Sequence, residues 1–200
     1  ADTGTTSASY AFRNAVNLTS VATPPATITN MSGMFYNANR FNQSLNNWNT
    51  GNVTDMSNMF AYATSFNGAI NNWDVSQVTT MSNMFNEASA FNQPLNNWDT
   101  SSVTDMSRMF FYATSFNRNI NTWNVSNVTT MSLLFYRANA FNQPLNNWNT
   151  GNVTTLQSTF AYAITFNQNI NTWNVSNVTT MSQTFSGAYA FNQPLNNWNT

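Results

Sequence analysis

Charge is what this chain most lacks. Only 6% of its 200 residues are charged, against roughly a quarter in ordinary domains. The five cations are all arginine (Arg13, Arg40, Arg108, Arg118, Arg137), and Lys, His and Cys are absent. With a net charge of −1, the chain has no basic footprint for nucleic acid, and no polybasic segment to draw it to an anionic membrane. No apolar run approaches the length of a bilayer span. Without cysteine there is no disulfide framework, so the core must come from packing alone. Without His, Cys or Lys the usual bases and activated nucleophiles are missing; no catalytic residue, cofactor or metal site is expected, and the chain does not read as an enzyme. So little charge also weakens the colloidal protection against association.

What is present is a repeat. Tryptophan returns at every twenty-fifth position, as Trp48, Trp73, Trp98, Trp123, Trp148, Trp173 and Trp198, and nowhere else. Phe41 heads a second column that runs through Phe66 and Phe91 to Phe191, with Leu45 or Ile70 types four residues on and Val53 types after the Trp. A fixed period of this length marks units that bury their apolar faces by stacking on one another. Met56, Met59, Phe60 and Ala63 have the spacing i, i+3, i+4, i+7 of a short amphipathic helix, with Thr54 or Asp55 placed to cap it. Each unit is therefore expected to hold one short strand or extended segment over 45–53 and one short helix over 55–63. Units with Gln-Pro-Leu or Gln-Ser-Leu alternate with units carrying Ile70, Ile120 and Ile170, so a fifty-residue pair reads as the duplicated element.

The stretch Ala11-Phe12-Arg13-Asn14-Ala15-Val16-Asn17-Leu18-Thr19-Ser20-Val21, followed by Pro24-Pro25 and Ile28-Thr29-Asn30-Met31, resembles one turn of the BspA-type leucine-rich repeat of bacteria. The interval from Phe12 to Phe35 is twenty-three residues, whereas Phe35 to Phe60 is twenty-five. The later units, such as Trp98-Asp99-Thr100-Ser101-Ser102-Val103-Thr104-Asp105-Met106-Ser107, are similar to the related twenty-five-residue repeats of mycoplasma lipoproteins and other bacterial surface proteins. The resemblance implies an α/β repeat, a right-handed leucine-rich-repeat-like solenoid of about 25 residues per coil, on an extracellular or cell-surface protein whose work is adhesion to host or matrix. Three regions are expected: a flexible segment at 1–10, which also reads as the start of a mature exported chain, a divergent repeat at 11–40, and an array at 41–200 ending in a half-unit.

Several columns could carry recognition. Asn42, Asn67, Asn92, Asn117, Asn142, Asn167 and Asn192 follow each Phe, and a second column runs from Asn46 to Asn196. Such ladders either bind sugars or satisfy backbone groups at bends, and the position beside core residues favours the latter for the first column. The Trp column either fills the core or offers a stacking platform, and its flanking asparagines leave both open; the methionines read as adaptable core filler. A strand face at period two, Thr50-Asn52-Thr54 and its repeats, places Thr54, Thr79, Thr104, Thr129, Thr154 and Thr179 in a row that could meet ice or another ligand, or serve as a β-favouring solvated face. Asp55 and Asp105, and Asp74 and Asp99, share columns with Thr or Asn, which favours turns over cation binding. Nine Asn-x-Ser/Thr sequons, at Asn17, Asn30, Asn42, Asn52, Asn124, Asn127, Asn152, Asn174 and Asn177, are candidate glycosylation sites.

The array stops mid-unit after Trp198, and the start of the chain resembles the complementary half. Tyr10 and Phe12 at one end and Leu195 and Trp198 at the other are therefore candidate assembly surfaces for a head-to-tail contact, which propagates because it does not close. The expected protein is a non-catalytic extracellular structural or adhesive repeat protein whose partners are copies of itself, with glycans or host and matrix surface proteins as further candidates. The alternatives are a glycan- or ice-binding module and a fragment of a longer surface adhesin.

Overall fold

A computed structural model describes residues 4–198. The chain winds through coils that stack in parallel register. One bridge residue per coil marks the register: Ser7 pairs with Asn30, Asn30 with Asp55, and so on through Thr80, Asp105, Thr130, Thr155 and Thr180. The first interval is twenty-three residues and each later one twenty-five, the same change of period that separates Phe12–Phe35 from Phe35–Phe60. Within the segment set apart as 1–10, residues 1–3 lie outside the described part, while Ala8 and Tyr10 donate their N–H groups to Asn30 and Ser32 of the following coil.

The expected α/β, leucine-rich-repeat-like solenoid with a strand and a helix in each coil is not what forms. Among the described residues there is no helix and no continuous strand, only isolated parallel bridges joined by turns. In the coil that begins at Asp55, turns occupy 57–62, 64–65, 71–72 and 76–77. The backbone donors explain why 55–63 is not helical. Met56, Asn58, Phe60 and Tyr62 send their N–H groups to the carbonyls of residues 80, 82, 84 and 86 on the next coil, while Met59, Ala61 and Ala63 donate to residues three back in their own. An α-helix needs every N–H for the carbonyl four residues back, so a segment that shares alternate donors with a neighbour cannot be one.

That alternation requires left-handed residues at fixed places. Tyr10, Gly33, Asn58, Asn83, Arg108, Leu133, Ser158 and Gln183 form one column at positive φ, and Asn14, Asn37, Tyr62, Glu87, Tyr112, Arg137, Tyr162 and Gly187 form the other. Glycine fills only Gly33 and Gly187; elsewhere L-residues sit where the β-carbon crowds a carbonyl.

The core runs the length of the stack. The apolar stripe Met56, Met59, Phe60 and Ala63 is fully buried, so the spacing identified the inward side chains although it misidentified their backbone. Phe35 to Phe185 form one aromatic column with ring centroids 5.4–5.8 Å apart. Phe41 to Phe191 form a second at 5.7–6.0 Å. Where Met gives way to threonine in a later coil, the buried Thr159 hydroxyl donates to the Met131 carbonyl at 2.9 Å, which removes the cost of an unpaired polar group.

Candidate functional site

The tryptophans settle which columns can meet a ligand. Trp48 through Trp173 are buried and stack at 6.0–6.5 Å, and each indole from Trp73 onward donates to a carbonyl of the preceding coil, as Trp73 does to Leu45 at 2.8 Å. The Trp column is core, and the stacking-platform alternative for it is overturned. Trp198, on the last described coil, is half-buried.

The asparagines after each Phe form an internal ladder. The Asn42 Oδ1 accepts the Asn67 N–H at 2.7 Å, and the pattern continues to Asn192. Gln93, Gln143, Gln168 and Gln193 add a second bond to the same oxygens. The second Asn column divides: Asn71, Asn121 and Asn171 accept N–H groups of the next coil, while Asn96 and Asn146 are exposed.

Thr54, Thr79, Thr104, Thr129, Thr154 and Thr179 all lie exposed in one row. Each hydroxyl donates to the equivalent carbonyl of the preceding coil at 3.0–3.2 Å, so outward it offers only lone pairs and a methyl group. Thr50, expected on the same face, is buried instead, its hydroxyl bonded to the Asp74 carbonyl at 2.8 Å. It ends the inward segment before the turn at 51–52, which breaks the period-two pattern.

The sequon asparagines separate by what their amides do. Asn52, Asn127, Asn152 and Asn177 donate Nδ2 to carbonyls of the preceding coil, and Asn30 donates to Asp55. A glycan on any of these would have to be accommodated at an amide that bonds between coils. Asn42, Asn124 and Asn174 are exposed; Asn42 uses its Oδ1 in the ladder to Asn67, and Asn124 and Asn174 use theirs within turns. Asn17 is exposed.

The aspartates act in turns. Asp55 and Asp105 accept the N–H groups of Ser57 and Ser107 at 2.8 Å, and Asp74 and Asp99 accept those of Ser76 and Ser101. Hydrogen bonds from the Ser76 hydroxyl and N–H hold the Asp74 carboxyl below its ordinary range, against a smaller opposing effect of burial. Asp74 and Asp99 border a shallow polar hollow of about 470 Å³ with Asn71, Asn72 and Asn97.

The candidate assembly residues lie at opposite ends of the stack. Tyr10 is 43% exposed, and Phe12 is half-buried against Phe35. Leu195 and Trp198 wall an apolar hollow of about 510 Å³ with Met181 and Phe185.

The sequence reading missed an aromatic and cationic ridge along the left-handed turns. Tyr36 and Tyr62 meet at 5.2 Å, and Arg13 lies 5.2 Å from both the Tyr10 and Tyr36 rings. Farther along, Phe111 and Tyr112 contact Tyr136 at 4.9 and 5.6 Å, and Tyr136 contacts Tyr162 at 5.5 Å. The Arg137 guanidinium is sandwiched between Tyr112 at 5.2 Å and Tyr162 at 4.9 Å, and Arg108 lies over Phe111. The coil between these patches carries Asn86 and Glu87 instead. The Tyr62 hydroxyl is pushed up from its ordinary range, first by burial and then by Glu87. The sequence held a signal: Tyr62, Tyr112 and Tyr162 recur at fifty residues, and Tyr36 and Tyr136 at a hundred.

The family model described as "Mycoplasma protein of unknown function, DUF285" matches residues 6–123 and again 113–200. The relationship found is with that repeat family and not specifically with BspA-type leucine-rich repeats. No curated protein and no solved structure matches the chain.

Proposed function

The chain belongs to this mycoplasma repeat family, and on that premise we propose that it is a non-catalytic structural or adhesive protein of the cell surface, whose coils associate head to tail with those of further copies. The observation that carries the reading is the complementarity of the two faces of a coil. Along one segment a face presents N–H groups, as Ser158, Phe160 and Tyr162 do toward residues 182, 184 and 186, and at the threonine row it presents a carbonyl, as Thr154 does to the Thr179 N–H; the facing coil supplies the matching groups. Phe160 stacks on Phe185 at 5.7 Å as Phe12 does on Phe35 at 5.5 Å, so the Phe12 column and the wall of Met181, Phe185, Leu195 and Trp198 have the two halves of one coil-to-coil contact. A contact between unlike faces does not close, so it extends into a filament or coat.

Sedimentation velocity across a hundredfold concentration range, with negative-stain microscopy, tests this. Wild-type chain is expected to form larger, linear species as concentration rises, and Leu195→Asp to shift them toward monomer by placing a charge in the apolar contact. A uniform monomer at every concentration overturns the assembly.

The exposed threonine row supports a second reading, a flat periodic face for ice or a comparably regular hydrated surface. Thermal hysteresis measured on wild-type chain and on Thr104→Lys/Thr129→Lys decides it: hysteresis lost in the variant favours this role, and none in the wild type removes it.

A further inference from the structure

The larger patch of the ridge lies on middle coils, away from the Tyr10 and Phe12 face and the Leu195 and Trp198 face that the proposed assembly uses. We infer that this patch, Arg108, Phe111, Tyr112, Tyr136, Arg137 and Tyr162, is a binding site for a linear carboxylated glycan. This deepens the adhesive reading proposed above and rests on it.

Three independent features converge on the patch. The first is charge without a partner. The chain has five cations, and two occupy this one patch on neighbouring coils. Among the described residues neither guanidinium makes a hydrogen bond or ion pair; their contacts are with ring faces. A guanidinium stacked between rings is already oriented, and its planar N–H edge matches a carboxylate through two parallel bonds. Because the rings hold it, little side-chain entropy remains to be lost on binding.

The second feature is backbone conformation. Arg108, Tyr112, Arg137 and Tyr162 all sit at φ between 54° and 57°, where the β-carbon of an L-residue crowds a carbonyl. Gly187 fills the column of Tyr112, Arg137 and Tyr162, and Gly33 that of Arg108, without that crowding. Every coil needs left-handed residues at these places, and this patch fills four of them with bulky aromatic and cationic side chains where other coils place Asn58, Asn83, Ser158 or Gly187.

The third is spacing. Rings on successive coils are 4.9–5.6 Å apart, close to the length of one pyranose unit. An extended peptide presents same-face side chains about 6.6–6.8 Å apart, wider than the ring spacing. A uronate chain matches that spacing: its sugars meet the aromatic edges and tyrosine hydroxyls, and carboxylates along it meet Arg108 and Arg137.

The test is calorimetric titration of the full chain with hexagalacturonate, its carboxyl-reduced neutral counterpart, a heparin hexasaccharide and hexaglutamate. Hexagalacturonate is expected to bind, more weakly as salt rises, and the neutral counterpart at least tenfold more weakly. Heparin binding as well would extend the anion to sulfate without changing the site. Arg108→Gln/Arg137→Gln is expected to weaken hexagalacturonate at least tenfold. Arg137→Lys, which keeps the charge but loses the planar fork, should also weaken it, and Arg118→Gln, whose Nε bonds the Asn92 carbonyl outside the ridge, should leave it unchanged. Near-UV circular dichroism of each variant checks that the tryptophan stack is intact. The inference is overturned if hexagalacturonate does not bind, if the neutral sugar binds equally, if the double variant binds as the wild type does, or if only hexaglutamate binds. Self-association is measured separately, so a chain that assembles but ignores the uronate loses this inference alone.

Discussion

Asn117 shows how a single side chain joins two coils. Its Oδ1 accepts the Asn142 N–H at 3.0 Å and the Gln143 Nε2 at 2.9 Å. Asn117→Ala strands both donors, and leaving a buried or half-buried donor unpaired costs roughly 1–3 kcal/mol. Urea denaturation should show a loss in that range, and Asn117→Asp, which keeps an acceptor, should lose less. Equal stability of Asn117→Ala and wild type would mean that water replaces the ladder. This column was legible in the sequence because an invariant polar residue beside an invariant Phe must bond something at each bend. The ridge was not, because Tyr and Arg are scattered over two columns with no strict twenty-five-residue repeat and meet only when coils stack.

The turn at 57–62 and its equivalents set the strain of each coil. Leu133 occupies the left-handed column at φ 59°, where other coils place Asn58 and Asn83. Asparagine tolerates this conformation far better than a γ-branched side chain. Leu133→Asn is therefore expected to raise the thermal midpoint, by a stabilisation of up to about 1 kcal/mol. A fall in the midpoint would mean that the packing of the half-buried leucine outweighs the relief. The same turn shows why the helix expectation failed. Hydrophobic spacing reports which side chains face inward, and Met56, Met59, Phe60 and Ala63 do. It does not report where the N–H groups go, and here alternate donors cross to the next coil.

Across the whole molecule, each coil touches its neighbours through the same aromatic columns. Phe110 stacks on Phe85 at 5.6 Å, Phe135 at 5.7 Å and Phe116 at 4.0 Å. Phe110→Ala should cost roughly 3–5 kcal/mol, as large-to-small core changes do. Phe185, half-buried on the last described coil, should cost less when truncated. Chemical denaturation of both variants compares them. Because stability in a stacked array is nearly a sum of units and nearest-neighbour interfaces, an equal cost would show that the aromatic columns do not act coil by coil.

The sequence by itself determined the period, the inward columns, the internal Asn ladder and the lack of a charged footprint, because each depends only on residue type repeated at a fixed interval. The tertiary structure alone decided the backbone of each coil, the burial of the tryptophans and the ridge of stacked tyrosines and arginines. Those depend on which donors pair across coils and which side chains from different coils come into contact, and neither is a property of one unit read in isolation.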